Sequence, residues 1–382
     1  MSLTPLADVT LVNAAANPFR HGDPAASRLL TRAAAGERLD SEETTLVLEQ
    51  ADFLELGEVG GAIRRARYGD LATFLIDRNI NYTNVCVTAC KFCAFFRAQN
   101  SPEGWTMTHD ELLESVSEAV ACGGTQVMIQ GGHNPNLELE WYEELFRRIK
   151  REYPDVAVHS LGPPEVIHIA GVSGLEAGEV LRRLKAAGLD SLPGAGAEIL
   201  VDRVRKAVAP LKISTDEWLD VMESAHEQDI RTTATMMMGT VETAAERVEH
   251  MARLRDLQDR TGGFRAFISW PYQPTKRLKT DLASGYDYLR LLAASRIFLD
   301  NFDHIGGSWL TTGLDVGQMT LHFGADDLGS VMLEENVVKA AGTVVTASVD
   351  RLRTLIETAG FRPAQRDTQY RIIKEFPESV AA

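Results

Sequence analysis

Residues Leu75-Ile76-Asp77-Arg78-Asn79-Ile80 lead through Asn81-Tyr82-Thr83-Asn84-Val85 into Cys86-Val87-Thr88-Ala89-Cys90-Lys91-Phe92-Cys93. The first six residues read as a short strand, and the stretch that places three cysteines within eight residues reads as the loop leaving it. From this strand onward the chain alternates between strand-like and helix-like periods. Thr108-His109-Asp110-Glu111 is a capping box that starts a helix running to about residue 121. Strands are predicted at 125–130, 156–160, near 188–193, at 231–238, 264–270 and 304–309, with helices at 141–151, 176–187, 214–228, 244–259 and 286–301 between them. The last unit is compressed, because a helix over 316–323 leaves only 325–328 for an eighth strand.

Eight strands alternating with helices close into an α/β fold of the TIM type, a (β/α)8 barrel, whose loops after the strands carry the chemistry. An open doubly wound sheet is disfavoured, since no Gly-x-Gly-x-x-Gly turn follows the first strand. Residues 1–70 are expected to form a helical extension that includes a helix over 41–56. The barrel is expected over 71–348, and 349–382 as a C-terminal extension packed on it, with a helix and an extended segment.

Of the 382 residues, 45% are hydrophobic and 24% charged, which excludes a disordered or collagen-like chain. The balance of 39 basic against 54 acidic residues gives −15 with no basic block, which argues against nucleic-acid or anionic-membrane binding. No segment reaches the roughly 18 apolar residues of a membrane helix, and the first twenty residues lack a leader pattern. The expectation is a cytoplasmic protein without membrane insertion.

The spacing C-x3-C-x2-C supplies three thiolates and no nearby fourth ligand, whereas a closed zinc site takes four. A [4Fe-4S] cluster on three cysteines keeps one iron free to bind something else. A structural zinc loop or a redox-sensing thiol group are the plainer alternatives. Cys122, alone before Gly123-Gly124, is expected to be a small buried apolar residue rather than a further ligand.

C-x3-C-x-(aromatic)-C after the first strand of a barrel resembles the signature of radical S-adenosylmethionine enzymes. The resemblance implies a [4Fe-4S] cluster on Cys86, Cys90 and Cys93, with S-adenosylmethionine on its open iron and Phe92 helping to hold the adenine. Gln130-Gly131-Gly132-His133 stands where these enzymes carry a Gly-Gly-Glu-like turn whose backbone receives the methionine ammonium group. The usual Glu is absent here, while Gly131 and Gly132 suit close backbone approach. In Pro193-Gly194-Ala195-Gly196-Ala197-Glu198 the carboxylate is a candidate for the cofactor's ribose hydroxyls, Arg203 or Arg205 for its carboxylate, and Ser160 for a further contact.

The likeness extends to Asn79-Ile80-Asn81-Tyr82-Thr83-Asn84-Val85, Gln130-Gly131-Gly132-His133-Asn134-Pro135, Phe323-Gly324-Ala325-Asp326-Asp327 and Met332-Leu333-Glu334-Glu335-Asn336. Together these resemble the dehypoxanthine futalosine cyclases of the futalosine route to menaquinone. The aminofutalosine synthases are near neighbours with Asn-Pro-Thr-Asn before the first cysteine, where this chain has Asn81-Tyr82-Thr83-Asn84. The resemblance implies dehypoxanthine futalosine as substrate, hydrogen abstraction from its ribose C4′, ring closure onto the benzoate, and a low-potential donor of the flavodoxin or ferredoxin class. Candidates for the proton-accepting group are Tyr82, His133 and His159, at predicted strand ends, where Thr235, Trp270, Trp309 and His322 also fall. Asp326 and Asp327 could orient ribose hydroxyls or cap a turn.

Overall fold

The computed structural model describes residues 21–342 and 345–376. Among the described residues three helices come first, α1 (Pro24–Ala34), α2 (Ser41–Gln50) and α3 (Phe53–Tyr68). Each starts on an aspartate, Asp23, Asp40 or Asp52, whose carboxylate accepts a backbone N–H of the first turn. The single helix expected over 41–56 divides at Ala51-Asp52, because Asp52 takes the Leu54 and Glu55 amides and so begins a new helix.

The barrel strands and their helices follow in order: β1 (Leu71–Leu75), β2 (Asp77–Asn81), α4 (His109–Ala121), β3 (Gln126–Gln130), α5 (Leu139–Glu152), β4 (Ala157–Ser160), α6 (Pro163–Ser173), α7 (Ala177–Ala187) and β5 (Ser191–Leu192). The second half continues with α8 (Asp202–Val208), α9 (Thr215–Glu227), β6 (Arg231–Met238), α10 (Ala244–Thr261), β7 (Phe264–Pro271), α11 (Gly285–Phe298), β8 (His304–Gly306), α12 (Leu314–Met319) and β9 (Asp327–Ser330). After these come α13 (Asn336–Ala340), α14 (Val349–Thr358), β10 (Arg362–Arg366) and β11 (Ile372–Glu375).

β1 and β2 are two halves of one strand interrupted at Ile76. The lower half pairs in parallel with β9 and the upper half with β3, so the sheet closes on itself through this strand. Beyond β9 the seam continues, with Val331 N–H donating to the Leu75 carbonyl at 3.0 Å and Leu333 N–H to that of Asp77 at 3.2 Å. Counting β1 and β2 as one, eight parallel strands form the expected (β/α)8 barrel.

Alternation along the strands separates two environments. Ile80, Val127, Ile129, Val158, Met236, Phe267 and Ile305 belong to the apolar core shared with the helices. The intervening positions turn inward and include Asn79, Asn81, Met128, Gln130 and His159. Barrel interiors are usually filled by branched apolar side chains, so a polar lumen marks a cavity built for something other than packing.

Four local expectations are corrected. Helix α6 was not foreseen, because Pro163-Pro164 and the run of Val and Ile residues hide its period, although Pro suits a helix's first turn. β8 ends at Gly306 rather than 309, and β9 lies two residues beyond the expected 325–328. Cys122 is exposed at the C-terminal end of α4, not a buried apolar residue. Asp326 and Asp327 are taken up by the protein rather than left for ribose hydroxyls: Arg296 and His304 hold Asp326, while Asp327 is held by Arg366 and Thr73 and also caps a turn by accepting from Gly329 N–H at 2.8 Å.

These aspartates belong to a plug under the barrel. β10 adds to β1 in parallel and β11 returns antiparallel to β10. Between them the chain crosses the N-terminal ends of the strands. Arg366 makes a bidentate pair with Asp327 at 2.6 and 2.8 Å, and the Thr368 hydroxyl donates to Gln126 at 2.8 Å. Arg265 donates to the Thr368 carbonyl, and the Tyr370 ring stacks on His304 with centroids 3.7 Å apart. This segment closes the N-terminal end of the barrel, which leaves the C-terminal end as its mouth. No helix among the described residues is long and apolar enough to cross a membrane.

Removing one partner of a buried, hydrogen-bonded ion pair leaves the other charge stranded, so Arg366→Ala should lower unfolding stability by about 3–5 kcal/mol in denaturant titration. A loss below about 1 kcal/mol, the scale of an exposed pair, would show that the plug does not hold the barrel.

Candidate functional site at the barrel mouth

The cysteine loop leaves β2 at the mouth and is fastened on three sides. Toward its own return strand, Cys86 N–H donates to the Arg97 carbonyl at 2.9 Å, and Arg97 N–H to that of Asn84 at 2.7 Å. Toward α8, Lys91 donates from its backbone to Val208 at 2.9 Å and from Nζ to the Ala207 carbonyl at 2.6 Å. There Cys90, Val208 and Ala209 form a small apolar cluster against which Phe92, Cys93 and Leu278 pack. From the segment after β7, Thr275 Oγ1 donates to the Lys91 carbonyl at 3.0 Å. Arg277 donates to the carbonyls of Cys90 at 3.1 Å and Ala89 at 2.9 Å, with its guanidinium 4.7 Å over Phe96. Ala89 takes a left-handed φ of 45°, a conformation that costs a residue with a Cβ, at the bend between the first two cysteines. The Thr88 hydroxyl lies 3.0 Å from Cys86 Sγ and 3.7 Å from Cys90 Sγ, inside the same bend.

Against this loop lies the turn that ends β3. A Cβ on Gly132 would stand 2.1 Å from the Val85 carbonyl oxygen and 2.9 Å from Cys86 Cβ, and one on Gly131 2.6 Å from the Tyr82 ring. Both positions therefore require glycine, Gly132 for the approach to the cysteine loop and Gly131 for the approach to the Tyr82 ring. Val87 N–H donates to the His133 carbonyl at 3.2 Å and Gly132 N–H to that of Thr83 at 2.9 Å, which joins turn and loop. Behind them the fully buried Glu165 accepts from Gly131 N–H at 3.0 Å, the Tyr82 hydroxyl at 2.9 Å and Gly162 N–H at 2.7 Å. Burial nevertheless outweighs these donors and pushes its carboxyl up to about 7.

The structure brings some sequence-derived candidates to this place and takes others away. Glu198 is buried with φ 42°, and Lys212 Nζ sits 2.8 Å from its Oε1 and 5.2 Å from the Phe92 ring. Arg205 approaches Glu198 at 3.6 Å but spends its hydrogen bonds on the carbonyls of Gly196, Ala197 and Ile213. Arg203 lies away from this group, half-exposed and bound bidentately to Glu246 at 2.6 Å, so the basic group that stands beside Glu198 and Phe92 is Lys212. Gln130 ends β3 beside Asn81, whose carboxamide donates to its carbonyl at 3.3 Å. The Ser160 hydroxyl is fully buried and donates to the Ile129 carbonyl at 2.7 Å, which leaves it serving the strand pair.

Of the three candidate bases only His133 stays beside the loop. Burial, with smaller contributions from Lys212 and His168, drops its pKa to about 3, so it is a neutral imidazole, stacked on the His168 ring at 5.2 Å. Tyr82 is corrected: it lies in the core beneath Gly131, and its hydroxyl is held by Glu165 and Tyr142. His159 is corrected as well, since it faces the lower lumen beside Ser191 and the plug arginines rather than the mouth. Among the other positions, Trp309 donates to the Ser330 carbonyl at 3.2 Å, and His322 packs on Phe361 outside the lumen.

Glu165, Lys212, Thr275 and Arg277 were not foreseen. A signal existed for Glu165, a carboxylate at the third position of a helix that begins Pro163-Pro164. Lys212 and Arg277 lie on irregular segments more than a hundred residues from the cysteines, and only the folded chain brings them there.

Comparison with known proteins follows this geometry. Residues 80–254 match the radical SAM superfamily, and residues 261–380 match the CofH/MqnC C-terminal region. The chain is 53% identical over 348 residues to a cyclic dehypoxanthine futalosine synthase of Streptomyces coelicolor, covering 90% of this chain and 87% of that one. It is 43% identical to a protein of the same name from Halalkalibacterium halodurans, over 93% and 96% of the two chains. An aminodeoxyfutalosine synthase of Thermus thermophilus is 36% identical, over 92% and 97%. Among solved structures, the FeFe-hydrogenase maturase HydG from Carboxydothermus hydrogenoformans shares the fold, with a TM-score of 0.71 at 16% identity over 91% of this chain and 80% of that one. With relatives this similar over nearly its whole length, the chain belongs to the radical S-adenosylmethionine superfamily of enzymes, in the family of the cyclic dehypoxanthine futalosine synthases.

Proposed function

We propose that this enzyme converts dehypoxanthine futalosine to its cyclic product in menaquinone biosynthesis, and that its reactants meet at the barrel mouth. The observation that carries the reading is the three-thiol loop, fastened on three sides over a polar lumen that is closed at the other end. Cys86, Cys90 and Cys93 hold a [4Fe-4S] cluster. The donor set fits that group: three free cysteines share one loop in the C-x3-C-x2-C spacing, which leaves one iron of a cube without a cysteine ligand from that loop. When bound, the cluster and S-adenosylmethionine supply the electron and the hydrogen-abstracting carbon centre.

The chain's own residues position and shield this chemistry. Arg277 and Thr275 fix the loop by its carbonyls, which holds the backbone that carries the thiols. Gly131 and Gly132 keep the β3 turn against the loop, where Gln130 and the turn backbone are available to the methionine end of the cofactor. Phe92 serves the adenine, and Glu198, backed by Lys212, serves the ribose hydroxyls. His133 begins neutral and is the sequence-derived candidate for taking the proton that leaves the aromatic ring, a role that the burial lowering its pKa to about 3 opposes until substrate changes its surroundings. In the proposed reaction the hydrogen atom lost from the ribose C4′ would leave in 5′-deoxyadenosine, C4′ would bond to the benzoate ring, and that ring would lose one proton to a base and one electron back to the cluster, so the product is two hydrogens lighter. A flavodoxin or ferredoxin supplies the initiating electron, in a cytoplasmic setting.

The test is anaerobic reconstitution with iron and sulfide, followed by dithionite, S-adenosylmethionine and dehypoxanthine futalosine, with products read by mass spectrometry. The expected products are 5′-deoxyadenosine and a substrate-derived compound two hydrogens lighter. Deoxyadenosine without that compound overturns the substrate assignment and directs the search to the chemistry of the other relatives. In a second experiment Cys90→Ala should lose the cube's absorbance and all deoxyadenosine, while Cys122→Ala retains both. Loss of the cluster in Cys122→Ala would contradict the ligand set.

A further inference from the structure

Two carboxamides stand on the inward face of β2, Asn79 and Asn81, each only 3% exposed. Their partners decide which end of each amide points where. Asn79 Nδ2 donates to the carboxylate of Glu335, which is itself fixed by the amides of Val337 at 2.8 Å and Val338 at 3.1 Å. Asn81 Nδ2 donates to the Gln130 carbonyl at 3.3 Å. A carboxylate and a carbonyl only accept, so the nitrogens must face them and both oxygens are turned the other way. Neither Asn79 Oδ1 nor Asn81 Oδ1 has a hydrogen-bond partner, and neither reaches solvent. Buried acceptors without donors destabilise a ligand-free fold, and natural chains rarely keep two of them side by side.

We propose that Asn79 and Asn81 form a hydroxyl-accepting wall of the substrate subsite, taking neighbouring hydroxyls of a sugar ring. Two residues apart on one strand, their Cα atoms are separated by about 7 Å, within the span of one ring and its hydroxyls. Asn81 ends β2 next to Gln130 and five residues before Cys86, so a ring held there lies beside the cysteine loop. The wall is uncharged on its open side, because Glu335 already meets two amides and Asn79, and this suits neutral donors better than a cation. The inference rests on the function proposed above, whose substrate carries a ribose, and it assigns the groups that would grip that ribose.

The test uses reconstituted holoenzyme under anaerobic conditions, with dehypoxanthine futalosine and deoxy analogues that each lack one ribose hydroxyl. Asn81→Ala and Asn79→Ala should weaken binding of the full substrate by about tenfold to a hundredfold. The cluster's electron paramagnetic resonance spectrum and the affinity for S-adenosylmethionine should stay unchanged. In the wild type, one of the deoxy analogues should bind as weakly as the full substrate binds to the variant, and the variant should no longer distinguish the two. This comparison needs only the wild type if a variant fails to fold, and a wild type that binds each deoxy analogue as well as the substrate overturns the proposal. Variants that bind the substrate normally, or that lose S-adenosylmethionine affinity in equal measure, also overturn it. A wild type that neither binds nor converts dehypoxanthine futalosine overturns the functional reading together with this subsite, and is thereby distinguished from failure of the subsite alone.

Discussion

The pairing of one interrupted strand on both of its sides is the constraint on which the rest of the molecule depends. β1 meets β9 and β2 meets β3, and the break at Ile76 lets one strand satisfy both partners. Without that closure the sheet would be open, its lumen would be a surface, and the loop leaving β2 would have no mouth to cross. The same strand carries Asn79 and Asn81 into the lumen, Ile80 into the outer core, and the cysteines to the rim. Parallel strands need their crossover helices packed outside, so the apolar faces of β3, β4, β6 and β7 are already spent on that core. What points inward is free to be polar.

Polarity inside a barrel has a cost, and the two ends meet it differently. At the N-terminal end charged groups find partners, some of them from the C-terminal segment, as Asp327 does in Arg366, and some from the barrel itself, as Asp326 does in Arg296. At the C-terminal end the buried oxygens of Asn79 and Asn81 have no hydrogen-bond donor. The cysteine loop is an intermediate case: its backbone is held by Arg97, Val208, Thr275 and Arg277, while its sulfurs meet only the Thr88 hydroxyl and the backbone of Phe95 and Phe96. A region whose backbone is fully held while its side chains remain unsatisfied is organised for a bound group.

The parts of this arrangement legible in the sequence are those set by short-range rules. Strand and helix periods differ, so β3, β6, α4 and α9 are predicted to within a few residues, and the capping boxes at Thr108 and Ser214 form as their residues imply. The cysteine spacing is chemistry written in a row, and the glycine pair at 131–132 announces a close approach, although the approaches found are to the cysteine loop and the Tyr82 ring. Tyr82 and His159 were misread because position near a strand end does not say which way a side chain turns. Tyr82 is drawn back by Glu165, a residue 83 positions away, and His159 occupies the inward register of a lower layer. Arg203 and Lys212 illustrate the same limit: nothing local distinguishes an arginine spent on Glu246 from a lysine buried against Glu198.

The claim at the centre of this account is that three thiols at the mouth of a closed, plugged barrel hold iron without a fourth protein ligand. Anomalous diffraction at the iron edge, from crystals of the anaerobically reconstituted protein, tests it most directly. The account predicts one compact iron site touching Cys86, Cys90 and Cys93, with the face toward Gly131 and Gly132 free of any side-chain ligand. Iron bound elsewhere, or a fourth side chain closing the site, would contradict it.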